Sequence, residues 1–254
     1  MASALKALYD EYVGVDGNAC TRCPRLVKNR TQVVFGEGAP SADLVIVGEA
    51  PGATEDEIGR VFVGQSGTLL DEYLAYFARD DARWLMSITR RMTSGYIPTD
   101  EEYDQIRDQL IETEKIYYLN AVLCRPPENV DPSKEELAAC RDRLLKCIYA
   151  VDPLLILAVG KVPVKALLGK DIKITSDRGQ VFDIEIPGVT GGIRYPMLVT
   201  YHPSFVGRTG DFNSKTGPGQ MWAQDLELAF ALLDDARALT RDEPRPKRRK
   251  WEKK

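Results

Sequence analysis

Four short apolar runs, each followed by a helical pattern, constrain the fold of this chain more than any other feature. The runs are rich in β-branched and aromatic residues, which favours strands. They cover residues 44–48, 116–122, 154–159 and 197–201. The helical patterns cover residues 69–77, 134–150, 163–168 and about 219–239. This alternation predicts an α/β fold, with a mostly parallel four-stranded sheet and helices on both faces. A hairpin is predicted around residues 177–179, before the last strand.

Several residues of chemical interest stand where these strands end. In sheets of this kind the ligand binds at the carboxyl ends of the strands. Glu49 follows the first run, Asn120 lies at the end of the second, and Lys161 follows the third. His202, the only histidine of the chain, follows the fourth. We therefore expect the functional site at this edge of the sheet.

The segment GEAPGATEDEIGRVFVGQSGTLLD, residues 48–71, has the strand–loop–helix layout of a phosphate-binding loop. Its glycines have the spacing of neither a P-loop nor a dinucleotide fingerprint, and the segment contains no lysine. Four carboxylates would repel a triphosphate unless a metal ion intervened. They are Glu49, Glu55, Asp56 and Glu57. The loop therefore predicts a ligand that is not recognised mainly through phosphate charge.

The chain is expected to form one domain over residues 1–240, with a helical insert at about 80–115 and a basic tail. Both halves of the insert have helical patterns. Residues 99–115 carry seven acidic and two basic side chains, so contact with a polyanion is not expected there. The tail, residues 241–254, has eight basic and three acidic residues and two prolines, which predicts disorder. It either attracts nucleic acid without specificity or only keeps the chain soluble.

The composition, 44% hydrophobic and 28% charged, is that of a folded globular protein. No apolar run approaches the ~20 residues of a membrane-spanning helix. The N-terminal segment carries acidic residues and lacks the basic start and long apolar centre of a signal peptide. We therefore expect a cytoplasmic monomer that has no membrane partner.

Five cysteines without a secretory signal argue against a disulfide framework. Four of them form two pairs, Cys20-x2-Cys23 and Cys124-x15-Cys140. Four thiolates suit either a tetrahedral zinc ion or a [4Fe–4S] cluster, and spacing alone does not decide between them. Four unconnected buried cysteines are the remaining alternative. Cys147 falls on the same helical face as Cys140 and is interpreted as a packing residue.

Five longer motifs, in this order along the chain, carry a resemblance to a known family. They are CTRCPRLVKNRTQVVFGEGAPSADLVIVGEAPG, EDEIGRVFVGQSGTLLD, LNAVLCRPPENVDPSKEELAAC, ILAVGKVPVKALLG and TYHPSF. Together they cover most of residues 20–210 outside the insert, and they resemble the iron–sulfur (family 4) uracil-DNA glycosylases. The resemblance implies a three-layer α/β/α sandwich and a [4Fe–4S] cluster. The cluster ligands that it implies are Cys20, Cys23, Cys124 and Cys140.

The resemblance also implies an activity, which is excision of uracil from single- or double-stranded DNA to leave an abasic site. The wall of the nucleobase pocket would be formed by backbone around Gly48, Ala50, Pro51 and Gly52. Glu49, in the same stretch, would line the pocket or order water.

The remaining site residues implied by the resemblance contact the base or the DNA. Phe62 would stack on the flipped base, and Asn120 would pair with the uracil edge through its side-chain amide. His202 would hydrogen-bond uracil O2 as negative charge builds there. The segment after His202 would fill the gap in the duplex through Ser204, Phe205 and Arg208.

Three departures from the family pattern leave the substrate open. Val61 stands where the family usually has proline, the insert at 80–115 is long, and residues 206–220 are longer and richer in glycine than usual. A glycosylase for a different modified base, in a phage or anti-phage setting, is one alternative. A non-catalytic DNA-binding replication scaffold and a redox role for the cluster are alternatives from other classes.

Overall fold

The computed structural model of the protein describes residues 2–78, 99–186, 192–209 and 216–242. Its strands form one sheet in the order β1-β3-β2-β4-β6-β5. They are β1 Glu37–Gly38, β2 Leu44–Gly48, β3 Ile116–Asn120, β4 Leu155–Val159, β5 Val181–Ile186 and β6 Ile193–Thr200.

The helices lie before, between and after these strands. Those of the first half are α1 Ala2–Tyr12, α2 Pro24–Asn29, α3 Ala53–Ile58, α4 Gln65–Phe77 and α5 Asp100–Thr113. Those of the second half are α6 Lys134–Val151, α7 Lys161–Leu168, α8 Ile174–Asp177, α9 Pro203–Thr209 and α10 Pro218–Asp242. A 3₁₀ turn, Pro127–Asn129, follows β3.

The four predicted strands form the parallel centre of the sheet, β3-β2-β4-β6. The predicted count of four was wrong, because an antiparallel strand pairs with each outer edge. β1 has only two residues, which is too short to give a strand pattern. β5 alternates exposed and buried positions and carries Asp183 and Glu185 on its exposed side, as edge strands often do. Its sequence therefore lacks the continuous apolar run of a central strand.

The predicted hairpin around residues 177–179 was wrong in position. The chain ends the short helix α8 at Asp177 and turns at Gly179, whose φ of +73° suits glycine. The hairpin instead joins β5 to β6, whose residues pair from Val181 with Leu198 to Ile186 with Ile193. This pairing also explains why β6 begins four residues before its predicted start. Residues 187–191 of the connection lie outside the described part of the chain.

Helices cover both faces of the sheet, so the predicted three-layer α/β/α arrangement is confirmed. Successive side chains of a strand point to opposite faces. Val45 and Val47 of β2 belong to a buried cluster that includes residues of α1, α2, α6 and α7. Leu44 and Ile46 belong to a second cluster that includes residues of α4, α5 and α10.

The predicted helices agree with the structure within a few residues at each end. The second helix predicted in the insert is α5, which begins with a capping box of Thr99 and Glu102. The first helix predicted there lies outside the described residues, as do residues 243–254 of the tail. Over the ranges that the structure describes, each helix is too short or too polar to cross a membrane.

A buried ion pair fixes the last helix against the sheet. Asp225 of α10 is 1% exposed. It accepts hydrogen bonds from Arg178 Nε at 2.8 Å and from Thr200 Oγ1 at 2.7 Å. Burial raises the pKa of Asp225, while Arg178 and Thr200 oppose that shift. The pair therefore matters mainly because neither partner can be removed without leaving the other unsatisfied.

We predict that Asp225→Ala lowers the free energy of unfolding by about 3 kcal/mol, because it leaves Arg178 partly buried without its carboxylate. Urea unfolding followed by circular dichroism measures the change. Asp10→Ala is the matched control, because it removes an exposed ion pair with Lys6. The control should change stability by less than about 0.5 kcal/mol. Equal effects of the two substitutions would contradict the assignment.

Candidate active site

A cavity of about 830 Å³ opens at the carboxyl edge of the sheet. Loops that follow β2, β3, β4 and β6 all contribute to its lining. Ten of the predicted base-binding, catalytic and DNA-contacting residues line it: Glu49, Ala50, Pro51, Gly52, Phe62, Asn120, His202, Ser204, Phe205 and Arg208. The eleventh, Gly48, lies behind the wall as a buried residue of β2. The structure thus brings the predicted residues to one place.

Strand register brings the predicted base-contacting residues together. Gly48 is paired with Asn120 at the ends of β2 and β3. A Cβ atom at Gly48 would lie 2.5 Å from Asn120 Oδ1 and 2.5 Å from Phe62 Cζ. Side chains do not approach each other so closely, so only glycine fits at position 48. The absence of a side chain there allows the amide and the aromatic ring to share one corner of the cavity.

Two acidic residues of the loop accept hydrogen bonds from backbone N–H groups. Glu55 is buried, and its carboxylate accepts the N–H of Gly52 at 3.1 Å and the N–H of Gly64 at 2.7 Å. Asp56 is buried as well and accepts the N–H of Thr31 at 2.9 Å. These carboxylates therefore hold the loop in shape. The structure thus gives two of the four carboxylates a role that needs no metal ion.

The ring of His202 is oriented by the turn that follows it. The Ser204 N–H donates to Nδ1 at 3.1 Å, and Ser204 Oγ lies 2.7 Å from the same nitrogen. A backbone N–H can only donate, so Nδ1 accepts, and the neutral ring carries its proton on Nε2. Burial, with a smaller contribution from the Arg208 charge, lowers the pKa of His202 to about 4. Although one edge of the ring faces the cavity, His202 is a neutral N–H donor at pH 7.

Glu49 is a titratable carboxylate of the cavity lining. Burial and, to a smaller extent, the Asp131 charge raise its pKa to about 7, while Lys161 opposes the shift. Lys161 Nζ forms an ion pair with Asp131 Oδ2 at 2.9 Å, and both side chains are more than half exposed. Near neutral pH, Glu49 therefore exchanges its proton readily.

The predicted DNA-contacting segment forms α9 and the rim of the cavity. Phe205 is 38% exposed, and its ring centroid lies 5.0 Å from that of Tyr201. Arg208, one turn further along the same helix, is exposed. The rim therefore presents an aromatic ring and a cation outward.

Sequence reasoning did not assign a site role to several residues that line the cavity. Lys161 begins α7 directly after β4, a position that the strand-end rule had marked. Asp131 and Asn129 come from the loop after β3, and Gln65 and Ser66 from the first turn of α4. No sequence signal pointed to these loop residues, because their place depends on how the loops fold over the sheet edge.

The four cysteines predicted as ligands lie together in the interior. Cys20 and Cys23 stand at the start of α2, Cys124 follows β3, and Cys140 lies in α6. Each is at most 9% exposed. A hydrogen bond with Cys140, burial, and the nearby Cys124 and Cys20 thiols all raise the pKa of Cys23. The four thiols therefore share one electrostatic environment.

Two buried arginines face these thiols. Arg30 donates from Nη1 to Cys124 Sγ at 3.0 Å and from Nη2 to the Cys20 carbonyl at 2.6 Å. Arg143 is fully buried beside Cys140 and helps to lower the pKa of that thiol, after the larger effect of Cys23. Among the described residues, Arg143 Nε and Nη1 have no partner at hydrogen-bonding geometry. Buried donors are normally satisfied, so the surroundings suit an anionic sulfur-rich group.

Cys147 differs from the other four cysteines. It is fully buried, and burial raises the pKa of its thiol to about 11. Its environment is the packed interface beside Tyr117 and Arg143. A protonated, inaccessible thiol of this kind is inert, which agrees with its interpretation as a packing residue.

Comparison with known proteins places the chain in a family. A family model described as the Uracil DNA glycosylase superfamily matches residues 35–223. A type-4 uracil-DNA glycosylase from Thermotoga maritima is 36% identical over 215 residues, which cover 84% of this chain and 89% of the relative. Type-4 uracil-DNA glycosylases from Pyrobaculum aerophilum and Archaeoglobus fulgidus are 33% and 30% identical, over 74% of this chain and 79% and 78% of those relatives. Because the matched region contains the whole sheet and every residue that lines the cavity, the chain belongs to the uracil DNA glycosylase superfamily, with relatives among its type-4 members.

Proposed function

We propose that this chain is a monofunctional DNA glycosylase that flips uracil out of DNA and hydrolyses its N-glycosidic bond, leaving an abasic site. One observation carries the proposal. A single cavity collects an aromatic ring, a side-chain amide, a neutral imidazole N–H and a titratable carboxylate, from Phe62, Asn120, His202 and Glu49. The type-4 relatives are named uracil-DNA glycosylases, which supports uracil as the base.

The base is captured by stacking and by edge recognition. Flipping a base out of the stack costs a few kcal/mol, which contacts in the pocket must offset. The Phe62 ring offers a face on which the flipped base stacks. The Asn120 amide has both a donor and an acceptor, so it complements the O4 and N3–H of uracil. Cytosine has an amino group in place of O4, so the same amide disfavours it.

Bond cleavage separates charge, and residues of the pocket stabilise both the negative charge on the base and the positive charge on the sugar. The C1′–N1 bond breaks with its electron pair going to the base, which leaves a uracil anion and an oxocarbenium-like sugar. The neutral His202 donates its Nε2–H to uracil O2, where negative charge accumulates. An ionised Glu49 stabilises the positive sugar. Water then adds at C1′, and its proton passes to the Glu49 carboxylate.

The cysteine site is proposed to hold a [4Fe–4S] cluster on Cys20, Cys23, Cys124 and Cys140. In the described part of the chain, no three Cys, His, Asp or Glu side chains are grouped as a single metal ion requires. Four buried thiols beside the guanidinium groups of Arg30 and Arg143 would suit an anionic iron–sulfur cluster held by cysteine thiolates. When bound, the cluster supplies a covalent link between the segment before α2, the end of β3 and α6.

We predict that His202→Ala lowers the single-turnover rate of uracil excision by roughly 10²–10³, as for loss of one oxyanion donor. Affinity for uracil-containing DNA should change little, because O2 gains its charge only as the bond breaks. Single-turnover assays with excess enzyme, followed by alkali cleavage of the oligonucleotide, measure the rate. Full excision by a His202→Ala, Asn120→Ala double variant would overturn both assignments.

We predict that the single-turnover rate rises with pH between about 6 and 8, because the pKa of Glu49 is about 7 and its ionised form is active. His202 is already neutral over that range and adds no step. Glu49→Gln should lower the rate by roughly 10² at pH 8 and remove the pH dependence. A variant that keeps the wild-type pH profile would show that Glu49 is not the titrating group.

We predict that the purified protein is brown and holds close to four iron atoms per chain, as a [4Fe–4S] cluster does. Cys140→Ser should lose most of the iron and the visible absorption. Cys147→Ser is the matched control, because this cysteine lies in the same helix but outside the predicted ligand set, and it should retain both. Iron analysis and absorption spectra measure the iron content and the visible absorption of each variant. Colourless protein with one zinc ion per chain would refute the cluster.

A further inference from the structure

The backbone of Phe62 adopts a conformation that its sequence does not favour. Its φ is +55°, in the left-handed region that residues with a Cβ atom rarely occupy. Such a conformation persists only where the surroundings enforce it, and it occurs often at ligand-binding sites. The enforcing contacts are therefore part of what places the ring in the cavity.

One buried side chain hydrogen-bonds to this backbone directly. Arg107 of α5 is 2% exposed. It donates from Nη1 to the Val61 carbonyl and from Nη2 to the Phe62 carbonyl, the latter at 2.6 Å. A Cβ atom at Gly67 would lie 1.7 Å from the same Phe62 oxygen, so the backbone of α4 also approaches this peptide closely. The guanidinium and the bare backbone of α4 thus both restrict the Phe62 carbonyl.

The guanidinium is itself held in place by the sheet and by α4. Arg107 Nε donates to Asp71 Oδ2 at 3.0 Å, and Tyr118 Oη donates to Asp71 Oδ1 at 2.8 Å. The guanidinium carbon lies 4.6 Å from the centroid of the Tyr118 ring, which is itself 5.7 Å from the Phe62 ring. Arg107 therefore has a fixed orientation, as a fork that bridges two carbonyls requires.

An ion pair between Arg60 and Asp104 also joins this face of α5 to the segment that contains Phe62. Asp104 lies three residues before Arg107, so the two share a helix face. Its carboxylate accepts Arg60 Nη1 at 2.8 Å, and Arg60 also donates twice to the Glu37 carboxylate. Residues 60–62 are thus connected to α5 at two points.

We propose that Arg107 is a positioning residue for base capture, and that the α5 part of the insert holds Phe62 where a flipped base stacks on it. The proposal rests on the proposed glycosylase function, and it gives the insert a role in that function. Substitution of Arg107 should therefore weaken base capture as much as removal of the Phe62 ring does. This effect should depend entirely on the presence of Phe62.

The test is a double-variant cycle of Arg107→Lys and Phe62→Ala. Lysine retains the positive charge near Asp71 but cannot donate to both carbonyls in a fixed fork. Single-turnover excision is measured, together with the fluorescence of a 2-aminopurine placed beside the uracil, which rises when the uracil leaves the stack. Arg237→Lys is the matched control. It alters another buried arginine, which binds Asp43 and the Glu114 carbonyl away from the cavity.

We expect Arg107→Lys and Phe62→Ala each to lower excision at subsaturating DNA by roughly 5- to 100-fold, with a smaller fluorescence rise, as for loss of one base–aromatic stack. The double variant should be no worse than Phe62→Ala alone. A further loss of the same size in the Phe62→Ala background would overturn the proposal, because Arg107 would then act by another route. An equal loss in Arg237→Lys would show a general effect of stability and would overturn it too.

Hydrogen exchange separates this proposal from the proposed function. In Arg107→Lys, the amides of residues 60–67 should exchange faster than in the wild type, whereas Arg237→Lys should leave them unchanged. If the wild type removes no uracil, the proposed function is wrong. Hydrogen exchange still tests whether Arg107 holds the backbone of Phe62 in place. Unchanged exchange at residues 60–67 in folded Arg107→Lys would overturn the positioning role.

Discussion

The close approach of Phe62 and Asn120 to the bare backbone of Gly48 is the constraint on which the pocket depends. Parallel register places the last residue of β2 beside the last residue of β3. Any side chain at Gly48 would occupy the space of the amide and of the ring. The groups that would stack on the base and read its edge are therefore adjacent because a strand ends in glycine. Gly67 likewise lets α4 approach the backbone of Phe62.

The charges of the cavity divide into those that hold the protein and those left for chemistry. Glu55 accepts two backbone N–H groups of its own loop, so it holds the loop in shape. Burial raises the pKa of Glu49 to about 7, so this carboxylate is partly protonated at neutral pH. Burial lowers the pKa of His202 to about 4, so its ring is a neutral N–H donor. A titratable carboxylate suits a sugar that becomes cationic, and a neutral donor suits a base that becomes anionic. The pocket thus matches a reaction that creates two opposite charges from none.

The sequence was sufficient for the centre of the fold and for most of the residues that line the cavity. The central strands are continuous apolar runs, and their ends mark the site by a general rule of parallel sheets. The edge strands were missed because β1 is two residues long and β5 is half polar. Residues of the motif loops were found through the family resemblance, since isolated residues such as Asn120 carry no signal of their own.

The role of α5 was not predictable, because it depends on contacts between residues far apart in the chain. The sequence of α5 showed only an acidic helix, and its one internal arginine resembled a solvated charge. In the structure, Arg107 lies in the interior between Asp71, Tyr118 and the carbonyl of Phe62. The partners of Arg107 lie on three separate elements that come together only in the folded protein. A local sequence pattern therefore cannot predict these contacts.

Two other buried arginines contact the cysteine site, and one of them, Arg143, connects it to the pocket. Arg143 donates from Nη2 to the carbonyls of Asn120 and Ala121 at 2.8 and 3.0 Å, while the rest of its guanidinium faces Cys140 and Cys147. Arg30 binds Cys124 and the carbonyl of Cys20. The end of β3 is therefore anchored on its far side by groups that a sulfur-bound cluster would satisfy. With the proposed cluster bound, Arg143 would link the cysteine site to the backbone of Asn120.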